Sequence, residues 1–192
     1  MANIALFFGS FNPIHLGHIS LAKETLRLNY IDEVWFIVSP QSPFKKDLNL
    51  IDAIDRVEMV KLAIGSNSRL KVSDIEIREN PKCFTVDTLR LLEKQNPGNI
   101  FHILMGQDNL SGLDQWKESD YIKNNYKILV YPRKDQILTD VELKANIEYF
   151  KADYINISST AVRNGIKNGQ NLTSMLPIGV YDYIVNKNLL KI

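Results

Sequence analysis

Residues 4–18 read IALFFGSFNPIHLGH, and this stretch decides the fold. Its first five residues form a short apolar run that is typical of a buried β-strand, and Gly9 lets the chain turn sharply where the strand ends. The amphipathic stretch from Ile19 to Leu28 then predicts an α-helix. Backbone N–H groups in the first turn of a helix have no partner within it and carry the positive end of its dipole, so they favour a phosphate. Strand, glycine turn and helix, in that order, therefore predict a nucleotide-binding loop.

Two imidazoles lie in the same stretch, those of His15 and His18. Because residues three apart are neighbours on a helix surface, both rings are expected on one side of the first turn. Gly17 leaves room for a bulky anion, Pro13 stiffens the loop and Ser10 adds a hydroxyl. The alternative is that either histidine merely caps the helix. The coincidence of strand, glycine, proline and two imidazoles favours a phosphate site instead.

Length and composition exclude several classes of protein. A length of 192 residues suits one domain, and we expect a single domain over 1–192 with a C-terminal helical segment from about residue 157. The net charge of +1 argues against non-specific electrostatic binding of nucleic acid. No apolar run reaches the roughly 20 residues of a membrane-spanning helix. A single cysteine, Cys83, excludes an internal disulfide and fits a reducing compartment. We therefore expect a cytoplasmic protein without nucleic-acid or membrane partners, and the oligomeric state stays open, a homo-oligomer included.

Strand and helix patterns alternate along the rest of the chain. Strand patterns cover residues 4–8, 33–38, 70–77, 99–105 and 126–131, and helical patterns cover 51–64, 85–92, 160–168 and 178–187. Right-handed crossovers between five such strands predict an α/β, doubly wound, Rossmann-like fold, a five-stranded parallel sheet with helices on both faces. Ligands of such folds bind beyond the carboxyl ends of the strands, where the strand order reverses. Gly9, Pro40, Gly106 and Pro132 all follow strand patterns at such ends.

A second anion-binding pattern lies near the C-terminus, where residues 157–163 read ISSTAVR. We expect this segment to join a short strand to a helix, with its hydroxyls at the helix start and Arg163 one turn inside. Free N–H groups and hydroxyls favour an anion there, and a guanidinium can hold phosphate oxygens in a bidentate manner. From the local sequence alone, simple helix capping by serine and threonine explains the pattern equally well.

These segments resemble those of the bacterial nicotinate-nucleotide adenylyltransferases, within the nucleotidyltransferase superfamily. The stretch HLGH at 15–18 matches the (H/T)xGH signature, and residues 157–163 match the family's second ATP-binding motif, Ile-Ser-Ser-Thr-x-x-Arg. The chain departs from the usual Gly-Gly-Thr-Phe-Asp-Pro with Phe8, Ser10 and Asn12. Asn12 keeps the size of the usual aspartate without its charge, so only a role that needs a carboxylate is put in doubt. Further similar segments, in the family's order, extend the resemblance over most of the chain.

The resemblance implies a set of site residues. It assigns catalysis to His15, His18 and Lys46. It assigns ATP binding to Gly9, Ser10, Phe11, Gly106, Asp108, Ile157, Ser158, Ser159 and Arg163. It assigns the mononucleotide to Thr85, Trp116 and Arg133, with the tryptophan stacking on a pyridine ring.

Several of these assignments have alternatives. Lys45 beside Lys46 leaves open which of the two lysines contacts phosphate, and both fit a solvated pair equally well. Cys83 and Phe84 replace the usual Ser-Tyr of the family, so contacts made by those two hydroxyls are absent. Each of three further residues has an alternative role without ligand contact. Asp108 can cap a helix, Trp116 can pack in the core and Arg133 can be a surface charge.

The reaction implied by the resemblance is transfer of AMP from ATP to nicotinate mononucleotide, which gives deamido-NAD and pyrophosphate in NAD biosynthesis. A phosphate monoester is already a nucleophile, so no covalent intermediate is expected. Mg²⁺ is expected to arrive with ATP, without a metal site built from protein side chains alone. Two alternatives stay open: another adenylyltransferase of the superfamily, acting on nicotinamide mononucleotide or phosphopantetheine, and a non-catalytic nucleotide-binding module. A nicotinamide-dependent oxidoreductase is disfavoured, because the first strand is not followed by Gly-x-Gly-x-x-Gly.

Overall fold

The structure is a computed structural model that describes residues 1–40, 50–79, 84–131, 146–152 and 155–190. Several residues named above lie outside this described part, namely Lys45, Lys46, Cys83, Pro132 and Arg133. The roles expected for Lys46 and Arg133 therefore stay predictions from the sequence.

One parallel sheet organises the described chain. Its strands are β1 Asn3–Gly9, β2 Glu33–Val38, β3 Leu70–Ser73, β4 Ile100–Gly106, β5 Lys127–Tyr131 and β6 Ile147–Tyr149. They pair in the order β3-β2-β1-β4-β5-β6, with each neighbouring pair parallel. The strand order reverses between β1 and β4, which is the switch point of a doubly wound fold.

The expected α/β, doubly wound, Rossmann-like parallel sheet is confirmed, whereas the count of five strands was wrong. The sixth strand, β6, pairs with β5 through Ile128 and Ile147. It has three residues, too few to show the alternation or the bounded apolar run that predicts a strand.

Helices connect the strands. They are α1 Leu16–Thr25, α2 Ala53–Ile64, α3 Ile75–Glu79, α4 Thr85–Gln95, α5 Gln107–Leu110, α6 Ser119–Asn125, α7 Ser159–Lys167 and α8 Val180–Asn186, with a 3₁₀ turn at Leu113–Gln115. In the part of the chain that the structure describes, no helix is both long enough and apolar enough to cross a bilayer.

Two local expectations were wrong. The strand expected over 70–77 ends at Ser73, because the Ser73 hydroxyl accepts the N–H of Ile75 at 3.3 Å and a short helix begins there. The strand expected just before Ser158 is irregular backbone. There the N–H of Ile157 bonds the carbonyl of Ile155 two residues back at 2.8 Å, instead of a neighbouring strand.

The hydrophobic core lies on both faces of the sheet. Successive side chains of a strand point to opposite faces, so Ala5 and Phe7 of β1 join one cluster while Ile4 and Leu6 join the other. Helices α1, α2, α7 and α8 contribute to the first cluster, and α3, α4 and α6 contribute to the second. Both N- and C-terminal helices therefore pack on the same face of the sheet.

Candidate active site

The switch point collects the predicted ligand-binding segments. The parallel strands β1 and β4 pair side by side and end at Gly9 and Gly106, respectively. The loop from Gly9 leads into α1, and α7 packs on the same face of the sheet as α1. The carboxyl edge of the sheet thus holds the start of both sequence motifs.

The structure brings the two imidazoles together at the start of α1. The rings of His15 and His18 stack, with centroids 3.7 Å apart and an interplanar angle of 25°. Nδ1 of His18 accepts the backbone N–H of His15 at 3.2 Å. An accepting ring nitrogen carries no proton, so this hydrogen bond assigns the proton of the neutral His18 ring to Nε2. His18 is therefore built as a hydrogen-bond donor through Nε2.

His15 is a neutral residue at physiological pH. Its side chain is buried, and burial lowers the pKa of His15 to about 4. A neutral imidazole can donate a hydrogen bond to a phosphoryl oxygen but brings no net charge. Any cationic help toward a polyanion must come from other groups.

The free energy of unfolding should decrease as the pH falls through the window between the folded and unfolded pKa values of His15. The pKa is about 4 in the folded chain and 6.5 for an unperturbed histidine. Below pH 6.5 the unfolded chain binds a proton that the folded chain does not, so stability is lost down to about pH 4, by up to roughly 3 kcal/mol. Urea unfolding of the wild type and of His15→Asn between pH 8 and pH 4 measures this loss. Parallel pH profiles of the two proteins would contradict the assignment.

Gly9, before the loop, and Gly17, in the first turn of α1, make room for side chains. A Cβ on Gly17 would lie 3.0 Å from Nδ1 of His15, so the space that Gly17 leaves is taken by this imidazole rather than held open for an anion. A Cβ on Gly9 would lie 2.9 Å from Cζ of Phe11. Both glycines therefore allow the rings of the loop to fold back against its own backbone.

Phe11 belongs to the core and not to an open ligand surface. Only 2% of the residue is exposed, and its ring lies 5.4 Å from that of Phe36 and 5.2 Å from that of His18. Its φ of 45° is in the left-handed region, which costs roughly 1–2 kcal/mol for a residue with a Cβ. Ring packing holds Phe11 in this conformation, and its edge supports the His18 ring. A contact of Phe11 with ATP would have to be made by its main chain.

The two sequence motifs meet although they are far apart in the chain. The hydroxyl of Ser159 donates to the carbonyl of Pro13 at 2.9 Å, across 146 positions of sequence. Nη1 of Arg163 donates to the carbonyl of Asn12 at 2.8 Å. These bonds fix the start of α7 against the loop before α1.

The capping interpretation holds for one hydroxyl of the second motif. The Ser158 side chain accepts the N–H of Ala161 at 3.2 Å, as an N-cap does. Ser159 instead reaches the loop, and Ile157 packs half-buried against the first core cluster. One segment therefore combines helix capping with attachment to the other motif.

The end of β4 needs a glycine for a different reason. A Cβ on Gly106 would overlap Oδ1 of Asp108 and lie 3.3 Å from the ring of Tyr131. The carboxylate of Asp108 therefore folds back over the strand end, on an exposed residue where a ligand can reach it.

The two described residues expected at the mononucleotide lie in neighbouring segments. Thr85 opens α4 and is half-buried, and Trp116 is half-buried against the second core cluster. Lys117 links these segments, because its Nζ lies 2.8 Å from the carboxylate of Asp87 and 5.3 Å from the ring centroid of Phe84. Trp116 therefore packs on the core without being fully buried.

The sequence analysis missed Arg56, a fully buried residue of α2 beneath the loop. Its guanidinium donates to the carbonyl of Ser10 at 2.7 Å. One signal could have found it: Arg56 lies three and four residues before Met59 and Val60, on the buried face of the helix. A charged residue on an apolar helix face needs a polar reason to be there.

Comparison with known proteins agrees with this arrangement. The chain matches the family described as cytidylyltransferase-like over residues 6–165. It is 39% identical over 190 residues to a protein of Flavobacterium johnsoniae named "probable nicotinate-nucleotide adenylyltransferase", covering 98% of both chains. It is 34% identical over 201 residues to a protein of the same name from Clostridium botulinum strain Okra, covering 100% of both.

A solved structure shares the fold. Nicotinic acid mononucleotide adenylyltransferase of Plasmodium falciparum, complexed with NaAD, superimposes with a TM-score of 0.82 at 20% identity, covering 100% of this chain and 98% of that one. The relatives at 34–39% identity extend over nearly the whole chain, and the family match includes residues 15–18 and 157–163. The chain therefore belongs to the nicotinate-nucleotide adenylyltransferases, within the cytidylyltransferase-like family.

Proposed function

We propose that this chain transfers AMP from ATP to nicotinate mononucleotide, forming deamido-NAD and pyrophosphate in NAD biosynthesis. The observation that carries the proposal is the meeting of two motifs at the switch point of the sheet. Stacked imidazoles open α1, and Ser159 and Arg163 attach α7 to the loop before them. Membership of the adenylyltransferase family supports the same reaction.

The transfer reaction requires that the two substrates be held in position and that the negative charge of the transition state be stabilised. An oxygen of the mononucleotide phosphate attacks the α-phosphorus of ATP, and the bond from this phosphorus to its bridging oxygen breaks. The electron pair of that bond leaves with pyrophosphate. Because the attacking phosphate already carries negative charge near neutral pH, a protein base is not required. The residues have to hold two polyanions together against their repulsion.

Specific groups suit that task. Nε2–H of His18 and the neutral ring of His15 would donate to the transferring phosphoryl group, where negative charge spreads in the transition state. Arg163 would supply positive charge toward the leaving phosphates while it stays bonded to Asn12. Lys46 is proposed as a further phosphate ligand on the resemblance alone.

We propose that ATP and the mononucleotide bind to separate parts of the carboxyl edge of the sheet. For ATP we propose the loop Gly9–Phe11 on one side, and Gly106 with the exposed carboxylate of Asp108 toward the adenosine. Ile157, Ser158 and Ser159 would complete the ATP site. For the mononucleotide we propose Thr85, Trp116 and Arg133, with the indole stacking on the pyridine ring.

Mg²⁺ is proposed to enter as the complex with ATP. Among the described residues, no group of three or more His, Cys, Asp or Glu side chains could hold a metal ion. Mg²⁺ often binds through substrate phosphates and waters with few protein ligands. When bound, the ion would neutralise part of the triphosphate charge. The cytoplasmic location likewise stays a prediction, and the oligomeric state stays open.

The test is a comparison of acceptors with the purified chain. ATP and Mg²⁺ are supplied with nicotinate mononucleotide, nicotinamide mononucleotide or phosphopantetheine, and pyrophosphate and the dinucleotide product are quantified. The proposal expects turnover with nicotinate mononucleotide. Faster turnover with phosphopantetheine or the nicotinamide form would identify another adenylyltransferase. ATP binding without turnover on any acceptor would identify a non-catalytic nucleotide-binding module.

A further inference from the structure

Arg56 joins three segments of chain through backbone carbonyls. Its Nε donates to Ile51 at 2.8 Å, Nη1 donates to Ser10 at 2.7 Å and to Ser39 at 2.6 Å, and Nη2 donates to Pro40 at 2.8 Å. The residue is 0% exposed. Burial of a cation is expensive unless its donors are satisfied, so a guanidinium here indicates a task that apolar packing does not perform.

Three of the four carbonyls that Arg56 binds lie at the carboxyl edge of the sheet, and the fourth, that of Ile51, precedes α2. Ser10 follows β1, while Ser39 and Pro40 follow β2. The N–H of Ser39 also donates to the carbonyl of Gly9 at 3.0 Å. One rigid fork therefore sets the loop after β1 relative to the end of β2, directly before the histidine pair.

A continuous hydrogen-bond path connects this fork to α7. The N–H of Ile51 donates to Oδ1 of Asn12 at 3.0 Å, and the carbonyl of Ile51 accepts from Arg56. The carbonyl of Asn12 accepts from Arg163 at 2.8 Å. Asn12 is buried and lies three residues before His15. The loop before the histidines is thus held at Ser10 by Arg56, and at Asn12 by Ile51, just before α2, and by Arg163 of α7.

We propose that Arg56 is a positioning residue for the transfer reaction. Its planar guanidinium fixes Ser10 directly and Asn12 through Ile51, and so places His15 and His18 relative to the triphosphate. A lysine keeps the charge but is a point donor without the fork, so it cannot satisfy the same carbonyls in the same directions. The inference rests on the proposed function, because the placement of the imidazoles matters for rate only if the chain catalyses transfer.

The test compares Arg56→Lys and Arg56→Gln with a matched control, Arg69→Lys. Arg69 also uses its guanidinium to bind backbone carbonyls, those of Asp32 at 2.9 Å and Ile31 at 2.6 Å. These carbonyls precede β2, at the opposite edge of the sheet from the site. All three variants and the wild type are assayed for kcat, for KM of ATP and mononucleotide, and for Tm.

All assays are run at a temperature below the Tm of every variant. We expect both Arg56 variants to lower kcat by about 10- to 100-fold relative to the wild type, with each KM changed by less than about threefold. Arg69→Lys should lower Tm and keep kcat within about twofold of wild type, because it lies far from the reacting groups. Arg56 variants with kcat as high as that of Arg69→Lys would overturn the proposal. Failure of both Arg56 variants to fold would also overturn it, since the guanidinium would then serve the fold alone. Absence of turnover in the wild type would instead defeat the proposed function, and this inference with it.

Discussion

Replacement of His18 by alanine should lower kcat by about 10²–10³-fold, equivalent to roughly 3–4 kcal/mol of lost transition-state stabilisation. The donor that is lost is Nε2–H, whose proton is assigned by the hydrogen bond between Nδ1 and the N–H of His15. Because the donor acts where charge develops, the effect should fall on kcat more than on the KM of either substrate. Pyrophosphate release under saturating ATP and mononucleotide measures it, with circular dichroism to confirm that the variant is folded.

A matched variant separates donation from helix capping. His18→Asn offers an amide group near the position of Nδ1, which can still accept the N–H of His15, but it has no group in the position of Nε2. We expect it to lose kcat as His18→Ala does while its Tm stays close to that of the wild type. His102→Asn is the control, since His102 bonds Asn3 within the sheet and lies far from the carboxyl edge. Near-normal kcat in His18→Ala would remove the catalytic role of this ring.

Arg163→Ala should lower kcat/KM for ATP by about 10²-fold, or about 2.7 kcal/mol. Two losses add up in this variant: a guanidinium available for phosphate oxygens, and the bond from Nη1 to the carbonyl of Asn12. Arg163→Lys should recover part of the activity, because the charge remains while the fork geometry is lost. Initial rates over a range of ATP concentrations measure both variants.

Lys167→Ala is the control for general charge on α7. Lys167 is exposed in the last turn of the helix, so its loss removes the same charge without touching the loop. We expect kcat/KM for ATP within about twofold of wild type, since an exposed charge that makes no direct contact acts only weakly through water. An equal loss in Lys167→Ala and Arg163→Ala would mean that long-range charge, and not contact, explains the effect.

The fold could be predicted from the sequence wherever the signal is local. The run from Ile4 to Phe8 and the helix start after His15 each follow from neighbouring residues, and the structure contains both. Gly9 is still the last residue of β1, and the chain turns at Asn12 and Pro13 instead. The sixth strand could not be predicted, because Ile147–Tyr149 gains its strand conformation from pairing with β5 rather than from its own pattern. The helix that begins at Ile75 could not be predicted either, because the hydroxyl of Ser73 ends the preceding strand by accepting the N–H of Ile75.

In the candidate site too, features set by neighbouring residues could be predicted, whereas features set by contacts between distant segments could not. The imidazole pair was predictable from residue spacing, as was the hydroxyl cluster at 158–160. The burial of Phe11 and the four carbonyls around Arg56 were not predictable, since these contacts join segments that are distant in sequence. Nor could spacing reveal that Gly17 faces the His15 ring, because that depends on how the ring turns after the loop has folded.

The bond between Ser159 and Pro13 gives the protein an inherent order of assembly. During synthesis on the ribosome, the strands that form the centre of the sheet emerge long before α7 does. The contacts of Ser159 and Arg163 with the loop before α1 therefore cannot form until translation has passed Arg163, and we expect a nascent chain that stalls earlier to lack transferase activity.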